Sequence, residues 1–331
     1  MAPHFTHDHN GVYNTTILLI ILEVMAMDNP ISVSAAKLSG NTSLAGCIEA
    51  LARTGYHVTD FWLCKYCTEP NPPMLRTDWR QWVSEASRLF QQAGITVGQA
   101  HAHWNHPYQI HEDFTYDLPL QVHYDCIEAS NMLGCRRLIF HPVQRWYRMT
   151  QESDRQRVLD INVEWFRALL PTAEKYDVEL HIENLFDHKH VQKEGDPIFP
   201  FSEPEDLLYV VHKLNHPLMR ICLDTGHANI NAMDVPSMIR KFGPLLGSLH
   251  LNDNYGKIGP IYEDLHLFPS YGRLPWEEIF SALEEIGYSG TLNMEPGGEL
   301  GRLPPALREI QMRAAREIME TMREIYANTD T

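Results

Sequence analysis

From Ile31 onward, short runs rich in Val and Ile alternate with longer stretches in which apolar residues recur every three or four positions. That alternation predicts successive strand–helix units and a parallel sheet. Eight strands are predicted, at residues 31–35, 58–63, 96–100, 137–140, 178–182, 219–223, 247–249 and 291–294. Between them, Leu44, Ile48 and Leu51 share a helical face that ends at Gly55, and Trp82, Ala86, Leu89 and Ala93 share one that ends at Gly94. Val158, Ile161, Trp165 and Leu169 repeat the pattern, Ser202 and Glu205 stand at capping-box spacing before the next helix, and Gly287 closes the seventh. Eight such units in about 270 residues match an α/β fold, a single (β/α)8 TIM barrel with parallel strands. A doubly wound open sheet is the runner-up, but no Gly-rich phosphate loop follows the first strand. Two connections are long, 185–201 after the fifth strand and 252–275 after the seventh, and both fall on the same predicted rim. Loops of that length inside a compact domain are usually functional.

No linker or low-complexity run divides the chain beyond Ile31, so residues 31–331 read as one barrel domain and residues 1–30 as an N-terminal extension. Within the extension, "TTILLIILEVMAM" has the look of a signal-peptide core. It lacks a preceding Lys or Arg, is interrupted by Glu23, and is too short to span a bilayer. His4, His7 and His9 are read as tail residues.

The chain carries 43 acidic against 27 basic residues, a formal charge of −16, which opposes unaided binding to nucleic acid. A small-molecule substrate is easier to reconcile with that charge; no membrane partner is expected, and a homo-oligomer is compatible with it. Six cysteines show no disulfide-framework spacing, which favours a reducing, cytoplasmic setting. Cys64 and Cys67 form a lone CxxC, read as a structural loop.

Candidate chemistry gathers where the predicted strands end. The third strand runs into "GQAHAHW" with His101 and His103, the fourth into "LIFHP" with His141, and the fifth into "ELHIEN" with Glu183. The sixth gives Asp224 and His227 in "LDTGHA", the seventh His250 and Asp253 in "SLHLND", and the eighth Glu295 in "NMEP". Barrel enzymes keep their active sites at this end of the strands. A ring of His and carboxylates without Arg or Lys at the same positions leaves negative charge uncompensated unless a cation joins it. Carboxylate oxygens mixed with imidazole nitrogens, without thiolate, suit Mn²⁺, Co²⁺, Mg²⁺ or Zn²⁺.

These segments, with "LHLNDN", "DLHLFPSYGRLPWEEIF" and "GTLNMEP", resemble the xylose-isomerase-like TIM-barrel superfamily over roughly residues 31–298. That superfamily holds sugar isomerases, ketose 3-epimerases, inositol-catabolism enzymes and endonuclease IV. The resemblance implies that Glu183, Asp224, His250 and Glu295 hold one divalent metal ion and that His227 faces the substrate. An ion gripping a carbonyl and a neighbouring hydroxyl would acidify the adjacent C–H through a metal-stabilised enediolate, with Glu183 and Glu295 as base and acid. Trp104 would help shape the pocket. Ketose 3-epimerases place an Arg six positions beyond the metal-binding His, where this chain has Gly256; Arg273, in the longer loop, is the substitute.

His101, His141, His227, Asp264 and His266 also match positions that complete the trinuclear zinc site of endonuclease IV. They are therefore substrate-binding groups or ligands of additional Zn²⁺. The expected function is a metal-dependent isomerase or epimerase acting on a keto-sugar or related polyol. The alternatives are a multi-zinc phosphodiester hydrolase, a dehydratase or lyase on a keto-sugar or inositol derivative, and a sugar-binding protein without turnover.

Overall fold

The computed structural model describes residues 27–34, 43–104, 110–144, 151–186, 199–256, 264–297, 300 and 302–326. The extension up to residue 26, including the signal-like stretch apart from Met27, and three segments of the rim loops (145–150, 187–198 and 257–263) lie outside them. So do Ala35 of the first predicted strand and His4, His7 and His9.

Eight strands form among the described residues: β1 Ile31–Ser34, β2 Val58–Trp62, β3 Thr96–His101, β4 Arg137–Phe140, β5 Glu179–Glu183, β6 Met219–Asp224, β7 Leu246–His250 and β8 Leu292–Met294. Each falls within about two residues of its predicted position. Neighbours pair in parallel in sequence order from β1 to β7, and β8 pairs with β1. The seam between β7 and β8 closes through a parallel bridge of Leu251 with Met294, in which the Leu251 N–H donates to Asn293 O (2.7 Å) and the Glu295 N–H to Leu251 O (3.1 Å). Closure rules out the open doubly wound sheet and explains how short apolar strands satisfy every ladder without an exposed edge.

Among the described residues, ten helices accompany the strands: α1 Leu44–Arg53, α2 Leu63–Thr68, α3 Trp79–Ala93, α4 Gln121–Met132, α5 Glu152–Tyr176, α6 Pro204–Leu214, α7 Thr225–Ile230, α8 Val235–Phe242, α9 Trp276–Glu285 and α10 Pro305–Tyr326. Their buried stripes, such as Cys47, Ile48 and Leu51 on α1 and Val83, Ala86 and Phe90 on α3, pack on the outward faces of the strands. Phe61 of β2, for instance, points outward into Tyr66, Trp82 and Phe90. Gly94 ends α3 at φ +67°, a left-handed position that suits glycine. No helix of the described residues is long and apolar enough to cross a membrane.

Two local expectations need correction. Ser202 does not cap α6: Pro204 occupies its first turn, Glu203 takes the cap position without a side-chain bond, and Ser202 Oγ donates to Phe199 O instead. The Phe201 N–H finds its acceptor in Asp206 Oδ2 (2.8 Å). Cys64 and Cys67 lie on a helix, α2, and not in a loop; both are buried, and Cys67 Sγ sits 4.0 Å from Cys126 Sγ.

At the mouth of the barrel, helix interiors brace the strand ends. Asn162, buried on α5, accepts from the Val143 N–H and donates to Val143 O, both at 2.8 Å, and so pins the segment that follows His141. Asn162→Ala should strip both main-chain groups of their partner at a cost of about 1–3 kcal/mol for each group left unsatisfied. Urea unfolding would measure it, and a loss below the lower figure would show that Val143 finds other partners.

Candidate metal centre

The strand ends converge. Glu183 from β5, Asp224 from β6, His250 from β7 and Glu295 just after β8 are buried, and each offers a ligand atom within 4.8 Å of the others. His250 Nδ1 lies 2.8 Å from Glu183 Oε1 and 3.4 Å from Glu295 Oε2. His101 Nε2 and His141 Nε2 approach Glu183 Oε2 at 3.3 and 3.2 Å. Glu183 Oε2 and Glu295 Oε2 are nevertheless buried without a properly formed hydrogen bond. Among the described residues, every ion-pair contact to these carboxylates comes from a histidine, none from Lys or Arg.

Burial alone would push all three carboxyl groups toward the neutral form. It does so at Asp224, pushed up to about 6 against the pull of His227 and His266. At Glu183, His250 and His141 overcome burial and hold the group well below the usual carboxylate range; at Glu295, His250 and His266 do the same. Two carboxylates held toward the ionised form thus share one buried pocket. Cys222, two residues before Asp224, lies beside Glu183 and His250, and burial pushes its thiol well above the ordinary value; the four-residue group Glu183, Asp224, His250 and Glu295 offers oxygen and nitrogen alone. The donor set and the unpartnered buried oxygens fit a hard or borderline divalent cation such as Mn²⁺, Co²⁺, Mg²⁺ or Zn²⁺.

The "DTGH" turn shows how a short sequence aims several groups at once. Asp224 caps α7, accepting the His227 N–H at Oδ1 (2.7 Å), while Oδ2 accepts from Asn252 Nδ2 (2.7 Å). His227 Nδ1 donates to Asn184 O (2.9 Å), which leaves Nε2 turned toward Asp264 at 3.8 Å. Gly226 is required because a Cβ there would stand 1.8 Å from Asn252 Oδ1. His266, at φ +47°, contacts Glu295 O through Nδ1 (3.1 Å) and Asp264 Oδ2 through Nε2 (2.9 Å). Trp104 is 42% exposed, and its indole stacks on His141 at 6.0 Å and meets Trp62 edge-on, forming one wall of the mouth.

A family model described as "Xylose isomerase-like TIM barrel" matches residues 48–325. The chain belongs to that family. A D-psicose 3-epimerase of Enterocloster bolteae is 31% identical over 208 residues, 59% of this chain and 62% of that protein. A D-psicose 3-epimerase of Ruminiclostridium cellulolyticum is 28% identical over 187 residues, 55% of this chain and 56% of that protein. The chain therefore spans under two thirds of the length of these relatives. The solved structure of a D-tagatose 3-epimerase-like protein superposes with a TM-score of 0.68 at 21% identity, covering 91% of this chain and all of the other, a likeness of fold.

Within this xylose isomerase-like barrel, most residues singled out from the sequence meet at one rim, with three exceptions. His103, just past β3, packs against His123 of α4 with ring centroids 5.5 Å apart. Asp253 belongs to the loop and not to the ring: Oδ1 accepts from the N–H groups of Asn254, Arg273 and Leu274, and Oδ2 from Trp276 Nε1. Arg273 is held in that turn through its main chain, with its side chain exposed. Sequence reading missed Asn184 and Asn252, whose amides clamp Asp224 from two sides, with the Asp224 N–H donating to Asn184 Oδ1 at 2.7 Å. It also missed Asp60, a buried carboxylate inside β2. The "HIEN" and "HLND" runs placed an amide beside each ligand, the one signal available.

Gly226→Ala should force Asn252 off Asp224 and lower affinity for Co²⁺ by about 10–100-fold, the usual cost of losing a group that orients a ligand. Calorimetric titration of metal-free protein would measure this. Unchanged affinity with the circular dichroism retained would show that the clamp is dispensable.

Proposed function

We propose that the protein is a divalent-metal-dependent sugar epimerase that inverts carbon 3 of a free ketose. The observation that carries this reading is the pair of buried carboxylates, Glu183 and Glu295, arriving from different strands at one cation-competent site. The kinship with two D-psicose 3-epimerases supports the substrate class. Glu183, Asp224, His250 and Glu295 would hold the ion. Once bound, it supplies polarisation of a carbonyl and its neighbouring hydroxyl, which makes the intervening C–H acidic.

The protein's own groups then do the proton work. One of Glu183 and Glu295 removes the proton from one face of carbon 3, and the other delivers a proton to the opposite face, so that configuration inverts. His227, its Nδ1 committed to Asn184 O, keeps Nε2 for a substrate hydroxyl. His266 and Asp264 form a second polar pair on the same side, and the Trp104–His141 stack offers an aromatic surface for the apolar face of a sugar. Clustering of His101 and His141 with Glu183, and of His227 and His266 with Asp224, keeps a multi-zinc hydrolase as the second reading.

Glu183→Gln and Glu295→Gln should each lower turnover of D-psicose by at least about 10²-fold, with folding preserved because both lie at the barrel mouth. Wild-type turnover in D₂O should place deuterium on carbon 3 of the product, read by proton NMR. Product formation with no label would remove the two-carboxylate proton relay, and near-normal activity of either variant would remove that residue from it.

A further inference from the structure

Beneath the ring, inside the barrel, Asp60 is fully buried at the middle of β2. Its Oδ2 accepts from Ser34 Oγ of β1 (2.8 Å) and from Asn293 Nδ2 of β8 (3.2 Å), and the Asn293 carboxamide is itself fixed by Ser32 Oγ donating to Oδ1 (2.8 Å). Two other strands thus hold one carboxylate of β2 in place, with no Lys or Arg among its ion-pair contacts in the described residues; its ion-pair neighbour is His250. His250 Nε2 lies 3.3 Å from Asp60 Oδ2, close but without the geometry of a formed hydrogen bond, and Asp60 Oδ1 likewise has no hydrogen-bond partner. The opposite ring nitrogen, Nδ1, faces Glu183 and Glu295.

We infer that Asp60 is a positioning residue: it holds the His250 ring with Nε2 toward the barrel floor and the Nδ1 lone pair toward the cation. An imidazole can ligate a metal only through an unprotonated nitrogen, and the partner of its other nitrogen decides which one that is. A carboxylate accepts and does not donate; with the cation taking the Nδ1 lone pair in place of the 2.8 Å contact to Glu183 Oε1, Asp60 favours the tautomer protonated at Nε2. A carboxyl group inside a barrel with no Lys or Arg beside it is otherwise costly. Its retention under His250, supported by Ser34 and Asn293, is explained if its charge is balanced through the ring by the cation above. No element of the strand pattern needs an Asp at this position; an apolar residue would pack the barrel interior more cheaply.

This inference rests on the proposed metal site, and the test separates the two. In Asp60→Asn the amide can donate to Nε2 and drive the proton to Nδ1. Metal-free wild type and variant are titrated with Co²⁺, following heat and the visible d–d spectrum, with circular dichroism as the check on folding. Wild type should bind, and the variant should bind about 10–100-fold more weakly with an altered spectrum and unchanged secondary structure. A folded variant with wild-type affinity and spectrum overturns the role of Asp60 while leaving the metal site standing. A wild type that takes up no Co²⁺ overturns both. If the variant does not fold, ¹⁵N-labelled wild type loaded with ¹¹³Cd²⁺ decides: coupling of the metal to His250 Nδ1, with a proton on Nε2, is the expected result, and coupling to Nε2 refutes it.

Discussion

Three buried carboxylates facing one another across the mouth of a barrel set the terms for everything around them. Glu183, Asp224 and Glu295 are each almost wholly shielded from water, and histidines supply the surrounding positive potential. Removing such charges from water costs several kcal/mol each, and imperfect pairing does not recover it. The amides of Asn184 and Asn252, the glycine at 226 and the left-handed turn at His266 make sense as devices that hold these groups at fixed orientation until a cation joins them. At Gly297 the chain passes so close to Leu265 O that a Cβ would stand 2.3 Å away, which brings the Asp264–His266 segment directly over Glu295. The polarity of the site is built by main-chain approach as much as by the ligands themselves.

The parallel barrel suits this arrangement because consecutive strands bring their C-terminal ends to one rim at a fixed spacing. β5, β6, β7 and β8 each contribute one prospective ligand, and β3 and β4 contribute the histidines beside Glu183. Packing outside the barrel fixes the strands, and polar contacts inside it fix the side chains. Asn162 is a case where the outer layer reaches the site, clamping the segment after His141.

The strands and the ring were legible in the amino-acid order for a common reason. Val- and Ile-rich runs that end abruptly on His, Asp or Glu, as six of the eight do here, mark strands whose tips carry chemistry, and eight strand–helix units leave few topologies. What was not legible depended on contacts far apart in sequence. Asp60 sits in "VTDFW", where a mid-strand Asp opposes strand propensity and gives no hint that His250, 190 positions later, will lie beneath the cluster beside it. Asp253, one turn past His250, looked like a ring member, yet its acceptors are taken up by four donors of its own loop. Ser202 had the spacing of a cap, but Pro204 moved the helix start by one residue.

The central claim is that Glu183, Asp224, His250 and Glu295 together bind one divalent cation, with the further histidines left for substrate. Elemental analysis of protein purified without chelator tests it most directly. The account predicts close to one tightly held divalent ion per chain, whose removal by chelation abolishes epimerisation and whose return restores it. A stoichiometry near three zinc ions, with hydrolysis of a phosphodiester in place of sugar turnover, would contradict it.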